Sequence, residues 1–203
     1  MSVNKIIAVT KNHPQSKILQ AIHLGIKKFG ENKIQEAEKK YKNHPQRENI
    51  QLHFIGKLQS NKIKKAVNLF DVIQTTENIK QAAKINKEAQ KLQKKQKIYI
   101  QINITKDTQK SGVLIKDLKS LLLFVEKQPH IQLCGLMTIL KKGLKAKENF
   151  TYFKELKNTQ EKIYKKIPTC TQTSMGMSGD YKEALKAGAT EIRIGRALFG
   201  ERQ

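Results

Sequence analysis

Lys11 stands apart from the chain's many lysines because it follows "KIIAVT" (residues 5 to 10), an apolar run that reads as a buried strand leaving the interior. A lysine at such an exit has a buried stem and an amine at a rim. Two readings are open, ordinary snorkelling or a reactive amine. Two further stretches suit an anion. "SMGMSGD" (174–180) sets hydroxyls and glycines just ahead of a helical pattern, where backbone N–H groups and the helix dipole can meet a phosphate. Ser178 there also reads as a plain N-cap. "RIGR" (193–196) follows and holds two of the four arginines, Arg193 and Arg196, with Gly195 between them to let a ligand approach the backbone. An amine opposite an anion site could form a Schiff base with a phosphorylated aldehyde. Lysine does this when a desolvated or cationic setting disfavours its charge.

Whether these stretches can meet depends on the elements that carry them. Strand-like runs occur at "KIIAV", "KKFG", "LHFIG", "FDVIQ", "KIYIQINI", "IQLCGLMTI", "TQTSM" and "EIRIG". Helical patterns lie between them. Ile18, Leu19 and Ile22 precede a stop at Gly25, and Ile34, Ala37 and Tyr41 share a stripe. Ile63 pairs with Val67, and Ala82, Ile85, Ala89 and Leu92 align over 77–94. Ile115, Leu118, Leu122 and Val125 follow, then Phe150, Phe153 and Leu156 over 146–165, and a last helix runs from an N-cap at Ser178 to Gly188. Strand and helix alternate, so the sheet is parallel. The strands are apolar runs, as expected when both faces are buried. An open doubly wound sheet and a closed barrel both fit this order, and eight strands favour a (β/α)8 TIM barrel. No linker divides the chain, which reads as one domain over 1–203.

In such a barrel the chemistry lies at the C-terminal strand ends, with phosphate often held by the last two loops. Lys11 and the 174–180 and 193–196 stretches would then be neighbours. Pyridoxal phosphate is the common cofactor that joins lysine through a Schiff base.

Composition narrows the alternatives. The formal charge is +23, which raises the question of a nucleic-acid partner. Only four of the 40 basic residues are arginine, there is no tryptophan, and no binding motif is present, so the lysines read as solvated helix faces. No run approaches the ~20 apolar residues of a membrane helix, and the N-terminus lacks a signal-peptide pattern. Cys134 and Cys170 give no metal spacing, and Cys134 reads as a core residue. Met137, Met175 and Met177 read as packing the core or the mouth, and the cytoplasm is the expected compartment.

The residues also resemble a known family, the pyridoxal-phosphate homeostasis proteins (YggS/PROSC type), relatives of the alanine racemase N-terminal barrel domain. The likeness runs through "AVTK", "FGENKIQE", "HFIGKLQSNK", "QINITKDTQKSG", "GLMTI", "SMGMSGDYKEALKAGATEIRIG" and "ALFGER", in order and over essentially the whole chain. It implies that Lys11 carries pyridoxal 5'-phosphate as a Schiff base, with Asn32 beside the ring. It implies that Ser174 and the backbone of Met175, Gly176 and Ser178 hold the phosphate with Gly195, and that Arg193 faces the pyridine nitrogen. A cation there resists ring protonation and weakens the electron sink. Arg196 replaces a small hydroxyl residue usual in the family, making that phosphate contact ionic or removing it. Lys57 stands where proline is common, a harmless change. Relatives carry a helix before the first strand, so a barrel shortened at its N-terminus is expected.

The function implied is a monomeric, cytoplasmic carrier that holds the coenzyme, with coenzyme-dependent apo-enzymes as candidate recipients and neither specific nucleic acid nor membrane as partner. The alternative is an amino-acid racemase, which needs an acid/base on the opposite ring face. The tyrosines at 41, 99, 152, 164 and 181 fall on helices or within a strand and do not supply it.

Overall fold

The computed structural model describes residues 2–200. Eight strands alternate with eight helices, beginning β1 (Ile6–Val9), α1 (Gln15–His23), β2 (Lys28–Glu31), α2 (Ile34–Tyr41), β3 (Gln51–Phe54), α3 (Ile63–Leu69), β4 (Val72–Thr76) and α4 (Ile79–Lys91). They continue with β5 (Gln96–Gln101), α5 (Leu118–Glu126), β6 (Ile131–Met137), α6 (Ala146–Tyr164), β7 (Gln172–Ser174), α7 (Tyr181–Lys186), β8 (Ile192–Ile194) and α8 (Arg196–Phe199). All strands pair in parallel in the order β7-β6-β5-β4-β3-β2-β1-β8. A bridge between Ser174 and Glu191 joins the two ends, with Met175 N–H donating to Glu191 O at 3.0 Å and Arg193 N–H to Gly176 O at 2.9 Å. The chain is a (β/α)8 barrel.

Every strand expected from the apolar runs is present, because a run buried on both faces leaves few other local solutions. Ala8, Phe29, Leu52, Ile73, Ile98 and Ile192 turn outward and pack with Ile18, Ala37, Ile63, Ile85, Leu121 and Phe153 of the surrounding helices. Local chemistry sets some helix ends. Asn78 caps α4 by accepting from Gln81 N–H at 2.9 Å, and Glu148 holds Lys145 N–H at 2.8 Å before α6. Two expectations are corrected here. α7 starts at Tyr181 with Asp180 in the cap position, so Ser178 is not its cap. Cys134 is only half-buried, while Cys170 is buried. The short helix α8 was not visible in the pattern. The end of "ALFGER", Glu201 and Arg202, lies outside the described residues.

The barrel interior departs from the usual branched aliphatic layers. His53, Gln74, Tyr99, Ser174, Glu191 and Arg193 are all buried and bonded to one another. A small apolar cluster, Val72, Tyr99 and Met137, shares that space, with Cys134 and Ile139 packed against it.

Candidate functional site

Strand alternation decides which residues of β1 reach the mouth. Val9 and Lys11 line a cavity at the C-terminal strand ends. Thr10, between them, points outward and meets Tyr41 Oη at 2.6 Å. The cavity measures about 540 Å³ and gathers Lys11, Asn32, Ser178, Arg193, Gly195 and Arg196 on one wall system. Asn32 follows β2 and is brought close by Gly56, where a Cβ would lie 2.2 Å from the Asn32 carbonyl oxygen. No other residue fits that approach.

Three of the residues expected at the phosphate lie elsewhere. Ser174, Met175 and Gly176 do not line the cavity, and Ser174 and Met175 have no exposed surface. The Ser174 hydroxyl donates to Gln74 Oε1 and accepts from Arg193 Nη1, both at 2.7 Å. Gly176 has φ +89°, and a Cβ there would meet the Ala184 methyl at 2.5 Å. Its glycine therefore serves the turn and the packing of α7. The cavity wall is made instead by Met177 to Asp180. Asp180 Oδ1 accepts Met177 N–H at 2.6 Å, whereas the amides of Ser178 and Gly179 make no hydrogen bond among the described residues. α7 has only six residues, so its dipole is short, and an anion here would rest on those amides and on cationic side chains.

The cations are Lys11, Arg193 and Arg196, with Lys141 and Lys142 from the loop after β6, against one lining carboxylate, Asp180. Burial raises the Asp180 carboxyl above its ordinary range, with the Met177 amide and Arg193 opposing. Arg193 is 3% exposed and pinned, donating to Ser174 O and Thr138 O at 2.7 Å each. Burial lowers its pKa to about 10, so it remains a cation at neutral pH.

Behind Arg193 the bonds run on through the barrel. Gln74 Nε2 meets His53 Nδ1 at 2.8 Å and Glu191 Oε2 at 3.4 Å, and Tyr99 Oη donates to Glu191 at 2.9 Å. Lys28 closes the row on Glu191 at 2.7 Å. Burial pushes His53 down to about 4. The neutral ring suits its neighbours: Nδ1 accepts from the Gln74 amide and Nε2–H donates to Gln51 Oε1 at 3.0 Å.

The sequence reading missed the arm of the cavity formed by Ile139–Leu144 and Asn149. An irregular loop carries no periodic signal. Gly143 in "KKG" was the one local hint, and it has φ +83°.

The whole chain, residues 1–203, matches the family model described as alanine racemase, N-terminal domain. It is 41% identical over 199 residues to the pyridoxal phosphate homeostasis protein of Synechocystis sp., covering 98% of this chain and 91% of that one. The protein of the same name from Vibrio cholerae is 35% identical over 98% of this chain and 85% of its own length. Among solved structures, PipY of Synechococcus elongatus without PLP superimposes with a TM-score of 0.92 at 36% identity, covering 98% of this chain and 93% of PipY. The same protein with PLP bound gives 0.87 at 34% identity, over 98% and 94%. Alanine racemase from Clostridium difficile shares the fold, with a TM-score of 0.78 at 14% identity over 99% of this chain and 56% of that one.

Proposed function

Because the chain belongs to the pyridoxal phosphate homeostasis proteins, built on the alanine racemase N-terminal domain, we propose that it binds pyridoxal 5'-phosphate at Lys11 and holds it as a carrier. The observation that carries the reading is the convergence of an amine, Lys11, with an anion wall, Ser178, Gly179, Gly195 and Arg196, on one cavity. The residues present fit the coenzyme. The volume suits a small ligand, and the Ser178 and Gly179 amides are open to an acceptor. A Cβ at Gly195 would stand 3.3 Å from Val9 O, so glycine lets two lining segments of the cavity lie close together. When bound, the coenzyme supplies an aldehyde that condenses with an amine, releasing water, and a pyridine ring that can withdraw electrons.

In this reading Lys11 would anchor the coenzyme, Ser178, Gly179 and Arg196 would take its phosphate, and Asn32 and Arg193 would stand toward its ring, with the Arg193 cation toward the ring nitrogen. Ser174, Met175 and Gly176 support these groups from behind. A permanent cation at Arg193 opposes protonation at the ring nitrogen, which suits holding over turnover. No tyrosine among the described residues lines the cavity, and the Tyr41 and Tyr99 hydroxyls are engaged by Thr10 and Glu191. The chain thus offers no tyrosine acid/base opposite Lys11, and the racemase reading is not favoured. We take 1–203 as one domain, acting as a monomer that passes the coenzyme to apo-enzymes. No helix among the described residues is long and apolar enough to cross a membrane, and we place the protein in the cytoplasm.

The test is borohydride reduction of the protein mixed with pyridoxal phosphate, followed by peptide mass mapping. The added mass should fall on Lys11; its absence there refutes the reading. Proton exchange at the α-carbon of added amino acids in deuterated buffer, followed by NMR, should stay at background. Multiple turnovers per second would restore the racemase.

A further inference from the structure

The peptide on each side of Lys11 is held from outside the barrel by one cluster on α2. Lys40 Nζ donates to the Thr10 carbonyl at 2.7 Å, and Asn12 N–H donates to Glu36 Oε1 at 2.5 Å. Lys40 also joins Glu36 at 2.6 Å and Glu31 at 3.0 Å. The Thr10 hydroxyl is taken by Glu31 Oε1 at 2.8 Å and Tyr41 Oη at 2.6 Å. Glu31 and Tyr41 are fully buried. Glu36 and Lys40 stand at i,i+4, so one helical face presents the carboxylate to the residue after Lys11 and the ammonium to the residue before it.

Two features show what this arrangement does. Asn12 sits at φ 59°, a sparsely populated conformation for a residue other than glycine, and Glu36 accepts the amide that would otherwise be free to turn away. A lysine side chain has four rotatable bonds, so a shift or turn of the backbone it starts from is carried out to its amine. The bonds from Glu36 and Lys40 end on the two residues that flank that backbone, and neither residue lines the cavity.

We propose that Glu36 and Lys40 are positioning residues that set where the Lys11 amine stands in the cavity. The proposal rests on the reading of Lys11 as the anchor. Glu36 acts through the Asn12 amide and Lys40 through the Thr10 carbonyl. Lys40 also keeps Glu31 and Glu36 together, since without its ammonium two adjacent carboxylates would repel and the hold on Asn12 would slacken. Misplacement of a reacting amine by about 1 Å costs orders of magnitude in rate, so loss of either hold should slow attachment of the coenzyme.

The test compares Glu36→Ala, Glu36→Gln and Lys40→Met with the unaltered protein. Glutamine keeps an Oε1 acceptor for Asn12 N–H, so it separates the hydrogen bond from mere disruption. The first measurement needs no coenzyme. Limiting acetic anhydride is added, an amine attacks one carbonyl, acetate leaves and the proton passes to buffer. Mass spectrometry gives the rate at Lys11 relative to the exposed Lys57 in the same sample. The ratio should move toward unity in Glu36→Ala and Lys40→Met, as for a lysine without a fixed place, and keep the unaltered value in Glu36→Gln.

The second measurement is the rate at which coenzyme mass is trapped on Lys11. It should fall about tenfold in Glu36→Ala and Lys40→Met and stay within about twofold in Glu36→Gln. Unchanged ratio and rate in a folded Glu36→Ala overturn the proposal, as does a Glu36→Gln protein that behaves like Glu36→Ala. If Lys40→Met does not fold, the two Glu36 variants decide alone. If even the unaltered protein takes no coenzyme mass on Lys11, the carrier reading fails, and the anhydride ratio still decides the positioning.

Discussion

Ser174→Ala separates two roles for one hydroxyl. Ser174 Oγ donates to Gln74 Oε1 and accepts from Arg193 Nη1, each at 2.7 Å, in a setting with no exposed surface. Alanine removes both bonds and leaves almost no cavity. Arg193 Nη1 keeps the Ser174 carbonyl, so one charge-assisted bond is lost, and Gln74 Oε1 loses its donor. Together these cost about 2–4 kcal/mol of folding stability. For a chain of this size, 1 kcal/mol moves Tm by about 2–4 °C, so the melting temperature should fall by roughly 5–15 °C. Affinity for pyridoxal phosphate should fall by less than about threefold, because no bond to the ligand is removed. Thermal unfolding followed by circular dichroism without coenzyme, and titration by absorbance, measure the two quantities. An unchanged Tm with a tenfold loss of affinity would show that Ser174 contacts the phosphate and that the hydroxyl turns away from Arg193 in solution.

Lys11→Ala should abolish the absorbance of the bound coenzyme while leaving the far-ultraviolet circular dichroism intact, because the amine is at the mouth and not in a packed layer; a persisting visible band would contradict this. Pyridoxal should bind far more weakly than its phosphate, since each charge-assisted bond is worth about 1.5–3 kcal/mol, and Arg196→Thr should narrow the gap between the two ligands. Equal affinities, measured by titration, would remove the anion wall. His53 supplies a pH signature. Its folded pKa of about 4 lies below the ordinary value of 6.5, so between these limits the unfolded chain binds a proton that the folded chain does not. Stability is full above pH 6.5 and declines as pH falls, by roughly 3 kcal/mol at pH 4. His53→Gln should flatten that part of a Tm-against-pH curve, and an unchanged curve would mean that another group carries it.

Much of the architecture was legible in the amino-acid order because it is written locally. Apolar runs of strand length, separated by helical periods, specify alternating β and α elements without knowledge of contacts. The alternation within "AVTK" already sends Lys11 to the same side as Val9. The convergence of Lys11, Ser178, Gly195 and Arg196 follows from the eight-strand count once the barrel closes.

What the tertiary structure decided was depth. Ser174, Ser178 and Arg193 look equivalent as polar residues near the last two strand ends. The stagger between strands puts Ser174 one layer below the mouth, under Arg193, and leaves Ser178 on the wall. The same stagger stacks His53, Gln74, Tyr99 and Glu191, which are far apart in the chain, into one bonded row. Nothing in the amino-acid order singles out Glu36 and Lys40, and only the approach of α2 to the end of β1 shows that they grip the peptides beside Lys11. Side-chain period is local and survives in sequence. Layer and neighbour depend on how distant strands register, and one strand's residues do not encode that.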